Sequence, residues 1–217
     1  SNDDFSNETF KFGYGKFISL NSKKVWAQRL SYVGELGFEL YIETKDAKEI
    51  YQLIVEEGKN HNLSHCGSHA MDTMRMESGF LHWGHDISPE ENQYEAGLSF
   101  TISYKKKIDF IGKKSLSIVK EEKQDRRFIM LSLIESKPGK PLLLHEEPIY
   151  LNDKIIGRTT SGNYSFNYNK NLSFGYVKSE YTNEELAKMS LYIEVAKQKY
   201  AARVELTPLK DKQVRFL

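Results

Sequence analysis

The stretch R-L-S-Y-V-G-E-L-G-F-E-L-Y, residues 29–41, decides how the first part of this chain folds. Gly34 and Gly37 bracket Glu35 and Leu36, so the backbone can turn sharply there and return as a strand. On that strand the alternation of side chains puts Phe38 and Leu40 on one face and Glu39 and Tyr41 on the other. Glu39 is then expected as a carboxylate in an aromatic, largely apolar setting. Such a group needs paired donors to offset its desolvation, and a bound heterocycle presenting two parallel N–H groups would supply them. A solvent-facing hairpin charge fits the same spacing, and composition alone favours that plainer reading.

Outward from this hairpin, residues 10–41 mix aromatic and β-branched side chains with turn-forming glycines, and the best strand candidates are 25–33 and 38–43. A helix is expected over 46–57, where Ala47, Ile50, Tyr51 and Ile54 recur at helical spacing, Thr44 can cap the start and Gly58 can end it. A second helix is expected over 68–78, its buried side marked by Ala70, Met71, Met74 and Phe80. A third amphipathic segment, 113–122, carries Leu116, Ile118 and Val119 and runs into the charged stretch Lys120 to Arg127, which reads as a boundary. Beyond it the pattern changes to short alternating segments at 128–134, 148–151, 154–158, 172–177, 190–195 and 199–206, with Asn152-Asp153 as a two-residue hairpin turn. These segments predict a small antiparallel barrel or sandwich.

Bulk composition narrows the functional classes. The chain has 217 residues, 39% hydrophobic, enough for one large domain or two modest ones with packed cores. Thirty-one basic residues against thirty acidic ones leave a formal charge of +1, so nothing sequence-wide draws the chain to nucleic acid or an anionic membrane. No apolar run approaches a spanning helix, and the opening Ser-Asn-Asp-Asp lacks the features of a signal peptide. A single cysteine, Cys66, excludes an internal disulfide and favours a reducing compartment, with the cytoplasm as the expectation.

Four constellations could carry chemistry. His61, His65, Cys66 and His69, followed by His82, His85 and Asp86, invite a zinc reading, but no H-E-x-x-H or paired C-x-x-C spacing accompanies them, and no metal is expected. Cys66 precedes a helix that could lower its pKa, yet no basic partner is identifiable from spacing, and a buried structural thiol accounts for it better. The hairpin carboxylate Glu39 is the third. The fourth is A-M-D-T-M-R-M-E-S-G-F-L-H-W-G-H-D, residues 70–86, where Asp72 and Arg75 are spaced for a salt bridge and Trp83 offers a flat ring that could stack on a ligand or fill core.

Read together, the last two segments resemble the glycine-cleavage T-protein, or aminomethyltransferase, family. Y-V-G-E-L-G-F-E is similar to that family's Y-T-G-E-x-G-[FYW]-E signature, and residues 70–87 resemble the helix and loop that follow it. D-F-I-G-K-K-S-L at 109–116 is similar to the family's F-I-G-[KR]-x-x-L, and I-G-R-T-T-S-G-N-Y-S at 156–165 matches its T-S-G motif. The opening D-D-F-S-N-E-T-F-K-F, Ala-Met-Asp at 70–72 and His-Trp-Gly at 82–84 look like the C-terminal regions of dimethylglycine and sarcosine dehydrogenases. Simple T-proteins usually carry arginine where Met71 stands and tyrosine where Trp83 stands.

The resemblance implies an α+β fold: the C-terminal part of the aminomethyltransferase folate-binding region over residues 1–125, then a small antiparallel β-barrel over 126–217. It implies a tetrahydrofolate-dependent module that forms 5,10-methylenetetrahydrofolate from a one-carbon unit carried by an N-methyl amine or aminomethyl donor. Tyr32 and Glu39 match the family's folate-site tyrosine and glutamate, Trp83 is a neighbour of the pterin or its aryl tail, and Arg75 belongs to the same motif, chiefly as structural support. The family's catalytic aspartate lies upstream of the matched signature and has no counterpart here, so the chain is expected to belong to a longer enzyme and to be inactive alone. FAD is implied only through an upstream flavin domain, because no G-x-G-x-x-G fingerprint occurs in this chain. Methyl transfer to tetrahydrofolate on the same fold, or a non-catalytic folate-binding scaffold, are the rival readings.

Overall fold

The computed structural model describes residues 1–178 and 180–210. These form two compact units, Ser1–Ser78, to which Lys210 also belongs, and Gly79–Leu209. Among the described residues no helix is long and apolar enough to cross a membrane.

The first unit is built on an antiparallel sheet of β1 (Gly15–Leu20), β2 (Lys23–Gln28) and β3 (Glu39–Tyr41), in that order. β1 lies outside the expected strand ranges. It is joined to β2 by Asn21-Ser22, both at positive φ (47° and 63°), the backbone a two-residue hairpin requires. One face of the sheet carries Ile18, Val25, Ala27 and Leu40, which pack with Phe10, Phe38 and Ile50 into an apolar core.

Helix α1 (Thr44–Gly58) contributes Ile50 to that core, with Ile54 packed against it. Thr44 is its first residue rather than its cap, a role that falls to Glu43. Tyr51, expected on the apolar face, is exposed, where its hydroxyl and His65 Nε2 lie 2.7 Å apart. Helix α2 (Ser68–Glu77) occupies the expected range but turns a different face inward. Thr73, Arg75, Met76 and Glu77 are buried, whereas Ala70 and Met71 are exposed. Only the last turn of α2 packs, and it buries polar side chains that a search for an apolar stripe passes over.

The second unit opens with an irregular segment and α3 (Lys113–Glu121), none of whose residues is fully buried; Leu116 and Val119 are half-buried and Ile118 is exposed. The rest is a closed six-stranded barrel ordered β4-β7-β6-β5-β8-β9, every pair antiparallel. Its strands are β4 (Arg126–Leu133), β5 (Pro148–Leu151), β6 (Lys154–Ser165), β7 (Lys170–Lys178), β8 (Leu191–Val195) and β9 (Gln198–Glu205), with a short helix α4 (Asn183–Leu186) before β8. Closure settles the choice between barrel and sandwich by leaving no unpaired edge. The barrel is filled by Ile129, Leu131, Leu133, Ile149, Ile156, Val177, Leu191, Ile193 and Val204. Asn152 takes the expected positive φ (55°) in the β5–β6 hairpin. β6 extends seven residues past the expected end, carrying the T-S-G motif inside the barrel wall.

Candidate functional site

The strand expected over 25–33, β2, ends at Gln28, so residues 29–38 form a longer loop than the tight turn expected, and β3 returns antiparallel to β2 with Gln28 opposite Glu39 and Trp26 opposite Tyr41. This loop is ordered by short-range bonds: Ser31 Oγ accepts from the backbone N–H groups of Val33 (3.3 Å) and Glu35 (3.0 Å). Gly34 sits at φ +68° against the Ser78 side chain, a site where a Cβ would collide. Ser78 Oγ and Lys210 Nζ both donate to the Val33 carbonyl, and Lys210 also pairs with Glu35 at 2.7 Å. The signature loop is thereby fastened to the end of α2.

Glu39 projects from the face of β3 opposite the core and is exposed. This departs from the expectation of a desolvated carboxylate and fits the solvent-facing hairpin charge, because among the described residues of the unit Glu39, Phe17 and Tyr41 on that face are left exposed. Its surroundings are aromatic as expected. The cross-strand row Phe17, Trp26, Tyr41 runs beside it, with Phe17 56% and Tyr41 55% exposed and the Phe17 and Trp26 rings edge-on at 5.0 Å. The Tyr41 hydroxyl donates to Glu39 Oε2 at 2.7 Å, and that bond, followed by the carboxylate's charge, raises the phenol's pKa. Among the described residues no cation pairs with Glu39. Tyr32, in the ordered loop, is half-buried.

Arg75 stands elsewhere in the same unit. It is 1% exposed, and its Nε donates to Asp72 Oδ1 at 2.7 Å, the i, i+3 pair expected from spacing. A guanidinium so enclosed works on the inside of α2.

In the second unit the H-W-G-H-D motif is a closed turn. Trp83 bridges to Ile87, Gly84 N–H donates to the Ile87 carbonyl at 2.7 Å, and Gly84 takes φ +88°. Trp83 is 65% exposed at the top of this turn. The His82 and His85 ring centroids lie 4.5 Å apart with the planes tilted by 35°, and Asp86, part of the residue cluster that suggested a metal, is buried against partners in β6 that lie 74 and 75 residues away. Among the described residues no group of three His, Cys, Asp or Glu side chains converges as metal ligands would. Cys66, for which a buried thiol was the favoured reading, is exposed.

A groove of about 420 Å³ on the barrel wall is lined by Arg126, Ile155, Tyr176 and Lys178 and by Ile156, Gly157 and Arg158 from the start of the T-S-G motif segment, whereas Tyr32, Glu39, Arg75 and Trp83 are not part of its lining. Two features escaped the sequence reading. Tyr41 was placed on the Glu39 face without its bond, although i, i+2 spacing on a strand allowed one. Thr160 and Ser161 were noted only as a motif, with nothing local to pair them to Asp86.

Comparison with known proteins agrees with this geometry. The GCVT N-terminal domain profile matches residues 1–106, and the glycine cleavage T-protein C-terminal barrel domain profile matches 126–211, the latter coinciding with the observed barrel. The chain belongs to the glycine-cleavage T-protein family. Human mitochondrial dimethylglycine dehydrogenase is 36% identical over 82% of this chain and 20% of its own length. An aminomethyltransferase from Geobacillus sp. (strain WCH70) is 32% identical over 96% of this chain and 55% of its own. The crystal structure of glycine cleavage system aminomethyltransferase T from Bartonella henselae superposes with a TM-score of 0.77 at 21% identity, covering 95% of this chain and 54% of that one, a likeness of fold. The chain thus spans about a fifth of the dehydrogenase and just over half of the aminomethyltransferase. The relatives are enzymes.

Proposed function

We propose that this chain is the folate-handling part of a tetrahydrofolate-dependent one-carbon transfer enzyme of the dimethylglycine or sarcosine dehydrogenase kind, which forms 5,10-methylenetetrahydrofolate from an N-methyl amine. The observation that carries this reading is the Tyr41–Glu39 pair on the open aromatic face of the hairpin. An exposed carboxylate held by a neighbouring hydroxyl and, among the described residues, paired with no cation can accept two parallel N–H groups from a pterin edge. Hydrogen bonds to a charged acceptor contribute about 1.5 to 3 kcal/mol each, enough to orient a ring. The row of Phe17, Trp26 and Tyr41 suits a planar ligand, so the residues present fit the group.

Tetrahydrofolate, when bound, supplies the nucleophilic nitrogens. The chain's contribution is orientation: in the first unit Glu39 accepts from the ring edge, Tyr32 borders it and Arg75 holds α2 from inside, and in the second unit Trp83 is an exposed ring on which a planar group can stack. Fixing a reactant in this way turns a bimolecular encounter into a local one. A flavin, in this reading, belongs to the remaining length of a dehydrogenase-type protein, and a single exposed thiol suits a reducing compartment such as the cytoplasm.

Calorimetric titration of tetrahydrofolate into the full chain and its Glu39→Gln variant tests the assignment. The variant should bind at least ~10-fold more weakly, since it replaces a charged acceptor with a neutral amide. Equal affinity would remove Glu39 from the site. Methyl-tetrahydrofolate as the product would instead indicate methyl transfer, and binding without turnover in the full-length protein would indicate a scaffold.

A further inference from the structure

Asp86 is 1% exposed, and the structure accounts for both of its carboxylate oxygens. Oδ1 accepts from Thr160 Oγ1 at 2.5 Å and from Ser161 Oγ at 2.7 Å, while Oδ2 accepts from the His82 N–H at 2.9 Å. The Asp86 carbonyl accepts from the Tyr176 hydroxyl at 2.8 Å, and its N–H donates to the His82 carbonyl at 2.8 Å. Burial raises the pKa of the Tyr176 phenol, which keeps it a donor.

The two hydroxyls come from consecutive residues of one strand. In a regular strand neighbouring side chains point to opposite faces and could not share one oxygen. The β6–β7 register shifts between Thr159 and Ser161, and such an irregularity re-aims a side chain. The T-S-G motif is therefore the barrel half of a clamp whose other half is Asp86, and the clamp closes beneath the turn that carries Trp83.

We propose that Asp86 is a positioning residue, which fixes the 82–85 turn to the barrel and so sets the direction in which the Trp83 ring is presented. The part Trp83 then plays toward tetrahydrofolate rests on the function proposed above. A turn fixed to a closed barrel loses little conformational freedom when a ring stacks on it, which is the advantage of preorganisation.

Backbone ¹⁵N relaxation of residues 82–85 in the full chain tests this directly. The parent should show order parameters near ~0.85, and Asp86→Asn, which replaces one acceptor oxygen with a donor, should lower them below ~0.6 while the barrel strands keep theirs. Thr160→Val removes only one donor and guards against an Asp86 variant that does not fold; it should loosen the same residues to a smaller degree. Unchanged order parameters in folded Thr160→Val overturn the proposal.

Tetrahydrofolate affinity supplies the second readout. Asp86→Asn should weaken binding on the order of fivefold, and this loss should vanish in a Trp83→Ala background if Asp86 acts through that ring. Equal losses in both backgrounds overturn the proposal. A loosened turn with no change of affinity in Asp86→Asn or in Trp83→Ala leaves Asp86 as the positioning residue and removes Trp83 from the folate reading.

Discussion

The phenol of Tyr41 donates to the carboxylate of Glu39 at 2.7 Å across the open face of β3. The bond joins i and i+2 on one strand, so it is available as soon as the hairpin forms, and it restrains a side chain that would otherwise sample many rotamers.

Removing that restraint should be felt in binding. Tyr41→Phe keeps the ring and deletes one hydrogen bond, so tetrahydrofolate affinity should fall by about 3- to 5-fold, less than for Glu39→Gln. In the reverse direction, Glu39→Gln should bring the raised Tyr41 pKa down toward the ordinary tyrosine range. Whatever stability the pair adds is present below the normal phenol pKa and lost as pH rises through the elevated one. NMR titration of the Tyr41 ring resonances above neutral pH checks the shift.

Arg75 and Asp72 supply the second prediction. Arg75→Met takes the guanidinium from a partly exposed carboxylate on α2 and should destabilise the first unit by about 2 to 3 kcal/mol, whereas Asp72→Asn, keeping a hydrogen-bond acceptor, should cost about 1 kcal/mol. Urea unfolding followed by hydrogen exchange in α2 distinguishes the two, and a neutral Arg75→Met would contradict the buried-pair account.

Gly34 is under a double constraint, a positive φ and contact with Ser78. Gly34→Ala should therefore destabilise the hairpin loop by about 2 kcal/mol, roughly half from the left-handed backbone and half from displacing Ser78. A shift in the urea midpoint with an unchanged slope is the expected result.

Acid should loosen the seam between β4 and β9. Burial works to raise the pKa of Glu205, but the Ser132 hydroxyl at 2.5 Å, Arg203 at 2.9 Å and Lys170 outweigh it and leave the carboxyl below its usual value. A depressed carboxylate contributes stability above its unfolded pKa and loses it as pH falls through the folded one. Glu205→Gln should thus be less stable than the parent by about 1 kcal/mol at pH 7. The difference should close below about pH 4, which denaturant melts across that range would show.

Particular elements show how far a linear reading carries. The two-faced hairpin strand, with Phe38 and Leu40 inward and Glu39 and Tyr41 outward, follows from alternation alone and is observed. Every barrel strand overlaps a segment expected from its alternation, and Asn152 turns where it was expected to. The inward face of α2 was misjudged because Thr73, Arg75 and Glu77 are buried there while Ala70 and Met71 are not. Hydrophobicity marks the inward face only when the buried residues are apolar. Glu39 is exposed, as the plainer reading of a solvent-facing hairpin charge has it, and alternation alone could not choose between that and a desolvated carboxylate, because whether a sheet face is covered depends on what lies over it.

By itself the sequence determined much of what is local: the β5–β6 hairpin with its turn at Asn152, the ranges of α1, α2 and α3, the barrel's alternating segments and, through its motifs, the family, but not the β1–β2 hairpin or α4. Those features depend on backbone preferences and on spacings of a few residues. Only the tertiary structure decided that Asp86 belongs with Thr160 and Ser161, and that Arg75 lies inside while Trp83 lies outside. A carboxylate finds partners 74 and 75 residues away only after a barrel has closed and a register shift has turned two neighbouring hydroxyls the same way.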